Sequence, residues 1–185
     1  MPSQAPTSAG LRTHEALLDA GIEVAEEHGL TGLSVNRVVA RAGVAKGTFY
    51  VHFATREAFI DALHERFHGR VLEAVEAATA GVPAGAERIC RGAEAYLDLC
   101  LADRAVKALA LEARSDPSLS ASMSKRHERF AASAIPSFRA MGWPDAPAAA
   151  QLVAAMTAEI AIRELEAGRR LPAARRSFRR FIGVE

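Results

Sequence analysis

The chain has 185 residues and a formal net charge of +1, a length that accommodates one large domain or two small ones. Half of its residues are apolar and 24% are charged, a balance that excludes a wholly disordered chain. No apolar run approaches the ~20 residues of a membrane span, and residues 1–10 lack the apolar core of a signal peptide. We therefore expect a cytoplasmic protein.

Helical periodicity dominates the whole chain, and no alternating run indicates a strand, so we predict an all-α fold of about nine helices. Residues 1–10 have the composition of a disordered tail. The first block contains helices over 11–28, from the N-cap Ser34 to Gly43, over 44–53 and over 55–80. Beyond a linker at 81–85, we predict helices over 86–102, 104–115, 117–141, 145–168 and 172–182, with Pro136 kinking the helix that it interrupts.

The stretch from Ser34 to Arg56 carries the strongest functional signal. Its charged residues are all basic, and they are Arg37, Arg41, Lys46 and Arg56. Two short helices that meet at Gly43 form a helix-turn-helix, since glycine adopts backbone conformations that other residues resist. A second helix with short or polar outward residues fits a major groove about 12 Å wide. The stretch therefore predicts a DNA-binding element.

The run from Gly43 to Phe53, GVAKGTFYVHF, followed by ATREA over 54–58, resembles the signature of TetR-family regulators. The similarity extends roughly from Leu11 to Leu63. The sequence departs from the common pattern at Ala45, where serine is frequent, and at Phe49, where leucine is common. These departures leave the operator sequence open.

The resemblance implies the layout of the chain and its DNA contacts. Residues 11–54 would be the three-helix DNA-binding domain, 55–80 a connecting helix, and 81–185 an effector-binding and dimerisation domain. Phosphate contacts would fix affinity and register, while few residues choose the sequence. The implied DNA-binding residues are Ser34, Arg37, Ala45, Lys46, Gly47, Thr48, Tyr50, His52 and Arg56.

The same resemblance implies a homodimeric repressor that a small molecule releases from a palindromic operator. We expect no cofactor and no enzymatic activity. The candidate effector-pocket residues are Leu97, Leu101, Leu109, Glu112, Met123, His127, Phe130, Met156 and Glu159. The candidate dimer-interface residues are Leu152, Val153, Met156, Ile160, Phe178, Phe181 and Ile182.

Two further patterns admit a second interpretation. His64-Glu65-Arg66-Phe67-His68 matches the zinc-peptidase pattern H-E-x-x-H, with Glu87 as a possible third ligand, but the helical phase predicts a surface histidine pair without a metal. Six arginines between 169 and 180 could contact nucleic acid, or could pair with Glu159, Glu164 and Glu166, which we favour. A helical adaptor that binds protein is the remaining alternative. Cys90 and Cys100 are expected to be buried, reduced thiols.

Overall fold

The computed structural model describes residues 8–29, 31–103 and 128–184, and all regular structure in those ranges is helical. Eight helices have defined bounds: α1 (Ser8–His28), α2 (Val35–Ala42), α3 (Lys46–His52), α4 (Arg56–Thr79), α5 (Ala86–Ala102), α6 (Ile135–Ala140), α7 (Ala146–Ala167) and α8 (Pro172–Ile182). Residues 128–132 are also helical. The all-α prediction is confirmed, while the expected helix over 104–115 lies outside the described residues.

The chain divides into two compact units, Met1–Arg66 and Phe67–Glu185. The division falls inside α4, so that helix contributes residues to both units. The predicted division into a DNA-binding domain over 11–54, a connecting helix over 55–80 and a C-terminal domain over 81–185 stays a prediction. The first turns of α4 belong with the N-terminal unit because their apolar side chains are buried in its core.

Three phenylalanines form the centre of the N-terminal unit. The ring of Phe59 on α4 lies 5.1 Å from that of Phe49 and 4.9 Å from that of Phe53, measured between ring centroids. Helix α1 comes very close to the same ring, since a Cβ added at Gly21 would lie 2.5 Å from Phe59 Cζ. A glycine inside a helix costs up to about 1 kcal/mol relative to alanine, and here it permits this close approach.

The C-terminal unit has its own apolar core, formed by residues of α5, α6, α7 and α8. Helix α7 is rich in alanine, and its buried small side chains, among them Ala150 and Ala154, leave room for neighbouring helices to pack closely. Helix α8 contributes Phe178 and Ile182 to this core. No helix within the described ranges is long and apolar enough to span a membrane.

Two helix boundaries differ from the sequence prediction. Helix α1 begins at Ser8, so residues 8–10 of the expected tail are helical. Pro136 does not kink a continuous helix, because the helix breaks at a turn over residues 133–134 and α6 starts anew at Ile135. Proline is tolerated there, since the first N–H groups of a helix have no partner within the helix.

Candidate functional site

The helix-turn-helix is built by a cap at each end of α2. Ser34 has an extended backbone, and its side chain accepts a hydrogen bond from the N–H of Arg37. Gly43 ends the helix with φ +67, the left-handed conformation that disfavours other residues. A Cβ added at Gly43 would meet no atom within 4 Å. The backbone conformation, rather than a lack of space, is therefore what requires glycine at this turn.

Helix α3 is held to the unit by one face and presents the opposite face to solvent. Phe49 and Phe53 at its end are buried. Because successive helical residues are separated by about 100°, Gly47 and Val51 lie at the centre of the opposite face. Val51 is 82% exposed. The exposed surface of α3 therefore consists of a glycine and a valine flanked by Lys46 and Tyr50.

The basic residues around this helix are not equivalent. Arg41 donates to Glu23 at 2.9 Å and to Glu27 at 2.7 Å, which lowers the pKa of the Glu27 carboxyl. Arg37 donates to the Gly32 carbonyl and Arg56 to the Leu33 carbonyl, each at 2.8 Å. Both of these arginines brace the loop that leads into α2. The charge of Arg41 is offset by two carboxylates, whereas Lys46 is exposed on α3.

None of the predicted DNA-binding residues is buried. Exposed positions are Arg37, Ala45, Lys46, Gly47 and Tyr50, and half-buried positions are Ser34, Thr48, His52 and Arg56. Their contacts with DNA remain predictions. The sequence analysis missed Val51, although its spacing of four residues from Gly47 could have placed it on the outward face.

The H-E-x-x-H pattern on α4 is not a surface histidine pair. His64 is only 2% exposed, so the prediction that both histidines lie near the surface is wrong. Phe59, Ile60 and Leu63, which are also buried, precede it on the same helix. Within the described part of the chain, no group of three or more His, Cys, Asp or Glu residues could hold a metal ion. Glu87, the suggested third ligand, instead binds Arg91 and Arg179.

The C-terminal unit contains a cavity of about 400 Å³. Its described lining comes from α4, α5, α7 and the segment 130–137, and it consists of Leu72, Val75, Glu76, Thr79, Arg88, Ile89, Gly92, Ala93, Phe130, Ala131, Ser133, Ala134, Ser137, Ala150, Val153, Ala154 and Thr157. The volume lies within the range of small-molecule sites. A cavity of this kind is where we expect an effector.

The predicted pocket residues agree with this lining at one described position, Phe130. Leu97 is buried in the core, and Leu101, Met156 and Glu159 do not line the cavity. Glu159 forms an ion pair with Arg163 at 2.9 Å. The described lining does not support these four assignments, which stay predictions. Four further candidates, Leu109, Glu112, Met123 and His127, lie outside the described residues.

The predicted dimer interface is divided between core and surface. Leu152 is 67% exposed and Phe181 is 76% exposed, and Met156 is half-buried. The remaining candidates belong to the core of their own unit, and they are Val153, Ile160, Phe178 and Ile182. Burial within one chain gives these four no support as contacts with a second copy, and they stay predictions.

Among the C-terminal arginines, Arg170, Arg175 and Arg179 form ion pairs with carboxylates within the described residues. Arg175 binds Glu164 through two hydrogen bonds of 2.7 and 2.6 Å, and Asp98 through a third of 2.6 Å. Arg179 reaches Glu94 at 3.0 Å and Glu87 at 3.3 Å. The structure thus favours pairing for Arg175 and Arg179. Of the three predicted partners, Glu159, Glu164 and Glu166, Glu164 is the one that binds either of these two arginines in the described residues.

Both cysteines are buried and lack a disulfide partner. Burial raises the pKa of the Cys90 thiol to about 11 and that of the Cys100 thiol to about 12. Because the thiolate is the reactive form of cysteine, neither residue is a reactive thiol at neutral pH.

Comparison with known proteins identifies the N-terminal unit. The family model of bacterial regulatory proteins, tetR family, matches residues 17–63, the segment that contains α2, α3 and the turn at Gly43. This segment of the chain therefore resembles the DNA-binding domain of the TetR family.

Similarity to curated relatives covers about a third of the chain. The HTH-type transcriptional regulator YvdT of Bacillus subtilis is 38% identical over 63 residues, which are 34% of this chain and 32% of YvdT. The HTH-type transcriptional repressor NemR of Escherichia coli is 35% identical over 68 residues, 35% of this chain and 34% of NemR. The chain thus matches about a third of the length of these relatives.

Similarity to solved structures extends over almost the whole chain. A TetR-family regulator from Rhodococcus sp. has a TM-score of 0.78 with 21% identity. The match covers 93% of this chain and 97% of the Rhodococcus chain. FadR of Bacillus subtilis in complex with stearoyl-CoA has a TM-score of 0.77 with 20% identity, covering 91% and 97%. At this identity the similarity establishes the TetR fold: an N-terminal helix-turn-helix followed by a helical domain.

Proposed function

We propose that this protein is a transcriptional regulator that binds double-stranded operator DNA through α3. The outward face of that helix carries the proposal: Lys46, Gly47, Tyr50 and Val51 project into solvent while Phe49 anchors the helix from behind. An α-helix presented in this way fits the major groove. The TetR-family match over residues 17–63 supports the same conclusion.

The regulator would act in the cytoplasm as a homodimer on a palindromic operator. Two copies would place their α3 helices in half-sites about 34–36 Å apart, or a multiple of this spacing. The exposed apolar side chains Leu152 on α7 and Phe181 on α8 support a self-complementary interface on these two helices. Burial against a second copy would remove both side chains from water.

We further propose that the protein is a repressor, and that a small molecule bound in the cavity of the C-terminal unit weakens its binding to the operator. Helix α4 supports this coupling, because it lines the cavity with Leu72, Val75 and Thr79 and begins at Arg56, which braces the loop before α2. The relative NemR is named a repressor, and the FadR structure contains stearoyl-CoA. A ligand that shifts α4 would therefore alter how the two α3 helices meet DNA.

Selection of bound duplexes from a random pool tests the proposal, followed by titrations of the recovered operator at several salt concentrations. Lys46→Ala is expected to weaken binding and to reduce the slope of log affinity against log salt by about 0.9, the value for one phosphate contact.

Arg41→Ala is the matched control. It removes one positive charge from the same basic region, but that charge is held by Glu23 and Glu27. Its slope should equal that of the wild type. Failure to recover any duplex would reject the proposal and favour a helical adaptor that binds protein. Equal slopes for Lys46→Ala and the wild type would remove Lys46 from the interface.

A further inference from the structure

The polar groups of the cavity limit the chemistry of its ligand. Among the described lining residues, most are aliphatic or small, and the polar side chains deep in the unit are the hydroxyls of Thr79, Ser137 and Thr157. All three residues are buried. A ligand inside this cavity would therefore meet apolar surface and hydroxyl groups.

Two of the hydroxyls already use their proton. Thr79 Oγ1 donates to the Val75 carbonyl at 2.8 Å, and Thr157 Oγ1 donates to the Val153 carbonyl at 2.8 Å. Each oxygen retains lone pairs that can accept a hydrogen bond. These threonines thus offer acceptors to a ligand rather than donors.

Ser137 differs from both threonines. It is 1% exposed, and its Oγ has no hydrogen-bond partner among the described residues. A buried hydroxyl without a partner costs roughly 1–3 kcal/mol, so such groups are generally satisfied by a neighbour or a bound molecule. Ser137 lines the cavity, where a ligand oxygen could supply that partner.

Neither of the two charged lining residues, Glu76 and Arg88, is buried. Arg88 donates through one nitrogen to the Thr79 carbonyl at 2.5 Å and to the Val82 carbonyl at 3.0 Å, which ties it to the end of α4. Glu76 is exposed. A charged ligand in the interior would lose its hydration without gaining a buried counter-ion from the described lining.

We propose that the cavity binds an uncharged, mostly apolar small molecule whose hydroxyl or carbonyl oxygen accepts a hydrogen bond from Ser137. This proposal rests on the proposed function, in which the same cavity is the effector site. It adds the chemical class of the ligand and the residue that recognises it. A hydroxyl on the ligand could in addition donate to a threonine oxygen, which a carbonyl cannot.

The experiment uses the full chain without DNA. A fragment panel is divided equally among uncharged oxygen-bearing compounds, carboxylates and amines of matched size, and binding is measured by saturation-transfer NMR. We expect the fragments that bind to be concentrated in the uncharged class. Their affinity should fall roughly tenfold in Ser137→Ala, the loss of one hydrogen bond.

A second variant ties the binding to the cavity itself. Ala150 and Ala154 are buried and line the cavity, so Ala150→Leu would fill part of its volume and should abolish binding of the same fragments. In the absence of ligand, Ser137→Ala should melt at the same temperature as the wild type or slightly higher, because it removes an unsatisfied hydroxyl. This result would show that weaker binding by the variant does not reflect misfolding.

Several results would overturn the proposal. A preference for carboxylates would indicate an anion site at Arg88, and unchanged affinity in Ser137→Ala would show that the serine does not contact the ligand. An absence of binding in all three classes would reject the cavity as a ligand site. Operator selection with the wild-type protein is independent of these measurements. If selection fails while the class preference holds, only the transcriptional role is rejected.

Discussion

Val51 is the most exposed of the large apolar side chains on the described surface, and it lies at the centre of the outward face of α3. Hydrophobic side chains in a major groove read the methyl group of thymine. We expect Val51→Ala to lose about 1 kcal/mol of binding to the preferred operator and to relax the base preference at one position in each half-site.

Competition binding with operators that differ by single base pairs measures this effect. The salt slope should remain that of the wild type, because valine carries no charge. A uniform loss of affinity across all operator variants would show that Val51 does not read a base. Together with Lys46→Ala, this variant separates base recognition from phosphate attraction on one helix.

At the scale of single residues, the sequence predicted the exposed face of α3 well and the buried polar groups poorly. The residues predicted to bind DNA follow one another within a short segment, so spacing alone indicates which side chains point outward from α3. His64 was misplaced because a histidine is compatible with both surface and core, and the helical phase predicts its direction only approximately. The burial of a side chain depends on neighbours that are distant in sequence, which the local pattern does not contain.

Among the helices, α8 is attached to the rest of its unit by a buried ion pair. Glu164 on α7 is buried and accepts hydrogen bonds from Arg175 and from the Leu171 N–H at 2.8 Å. Burial alone would raise the pKa of this carboxyl, but the hydrogen bonds and the positive charge of Arg175 outweigh burial and lower it. The pair joins the start of α8 to α7, and Asp98 extends it to α5.

We expect Glu164→Gln to lower the free energy of unfolding by about 2–3 kcal/mol at pH 7, since one partner of a buried pair remains without its counter-charge. The expected loss of stability is moderate for a buried pair, because Arg175 keeps its contact with Asp98 in the variant. Urea denaturation measures the change. Glu166→Gln is the control: it removes an exposed carboxylate from the same helix and should change the value by less than about 0.5 kcal/mol.

The same variant predicts a pH dependence. A carboxyl whose pKa is lowered by folding stabilises the protein above its unfolded value of about 4.3, and this stabilisation is lost as the pH falls through the folded value. The difference between the wild type and Glu164→Gln should therefore shrink below about pH 4. A difference that is constant between neutral and acidic pH would show that the ionised carboxylate is not the stabilising group.

Helix boundaries show which local signals are decisive. Gly43, Gly168 and Gly183 end their helices in the left-handed conformation, and the predicted ends near them agree with the structure. The break at residues 133–134 carries neither glycine nor an adjacent proline. Proline at 136 was interpreted as a kink because the sequence does not reveal that the preceding turn leaves the helix.

For the whole molecule, association through α7 and α8 is the central prediction. Leu152→Asp and Phe181→Asp each place a charge on an exposed apolar position, so the fold of one chain should be retained. Both variants should sediment as monomers at micromolar concentration, and tight operator binding should be lost because a single half-site supplies few contacts.

Leu11→Asp provides the control, because Leu11 is an exposed apolar residue in the other unit. This variant should remain dimeric. Ile160→Asp would be unsuitable, because it places a charge in the core of the C-terminal unit. If both Leu152→Asp and Phe181→Asp remain dimeric with full operator affinity, the interface lies elsewhere.

The cavity could not be predicted from the sequence, although the architecture could. Its walls come from four segments between residues 72 and 157, and each contributes residues that would also suit an ordinary core. The residues of the helix-turn-helix are neighbours in sequence, whereas those that line the cavity are not. Helical periodicity distinguishes a buried face from an exposed one, but it does not show where two buried faces fail to meet.

The burial of Cys90 and Cys100 makes this protein well suited to site-specific spectroscopy. At neutral pH a maleimide or iodoacetamide reagent would leave both native thiols unmodified, because neither is exposed as a thiolate. A cysteine introduced at the exposed position of Ala80, just after α4 and outside the proposed interface, would then be the one reactive group, without any need to replace the native pair. A single fluorophore on each copy could report subunit association by energy transfer in solution.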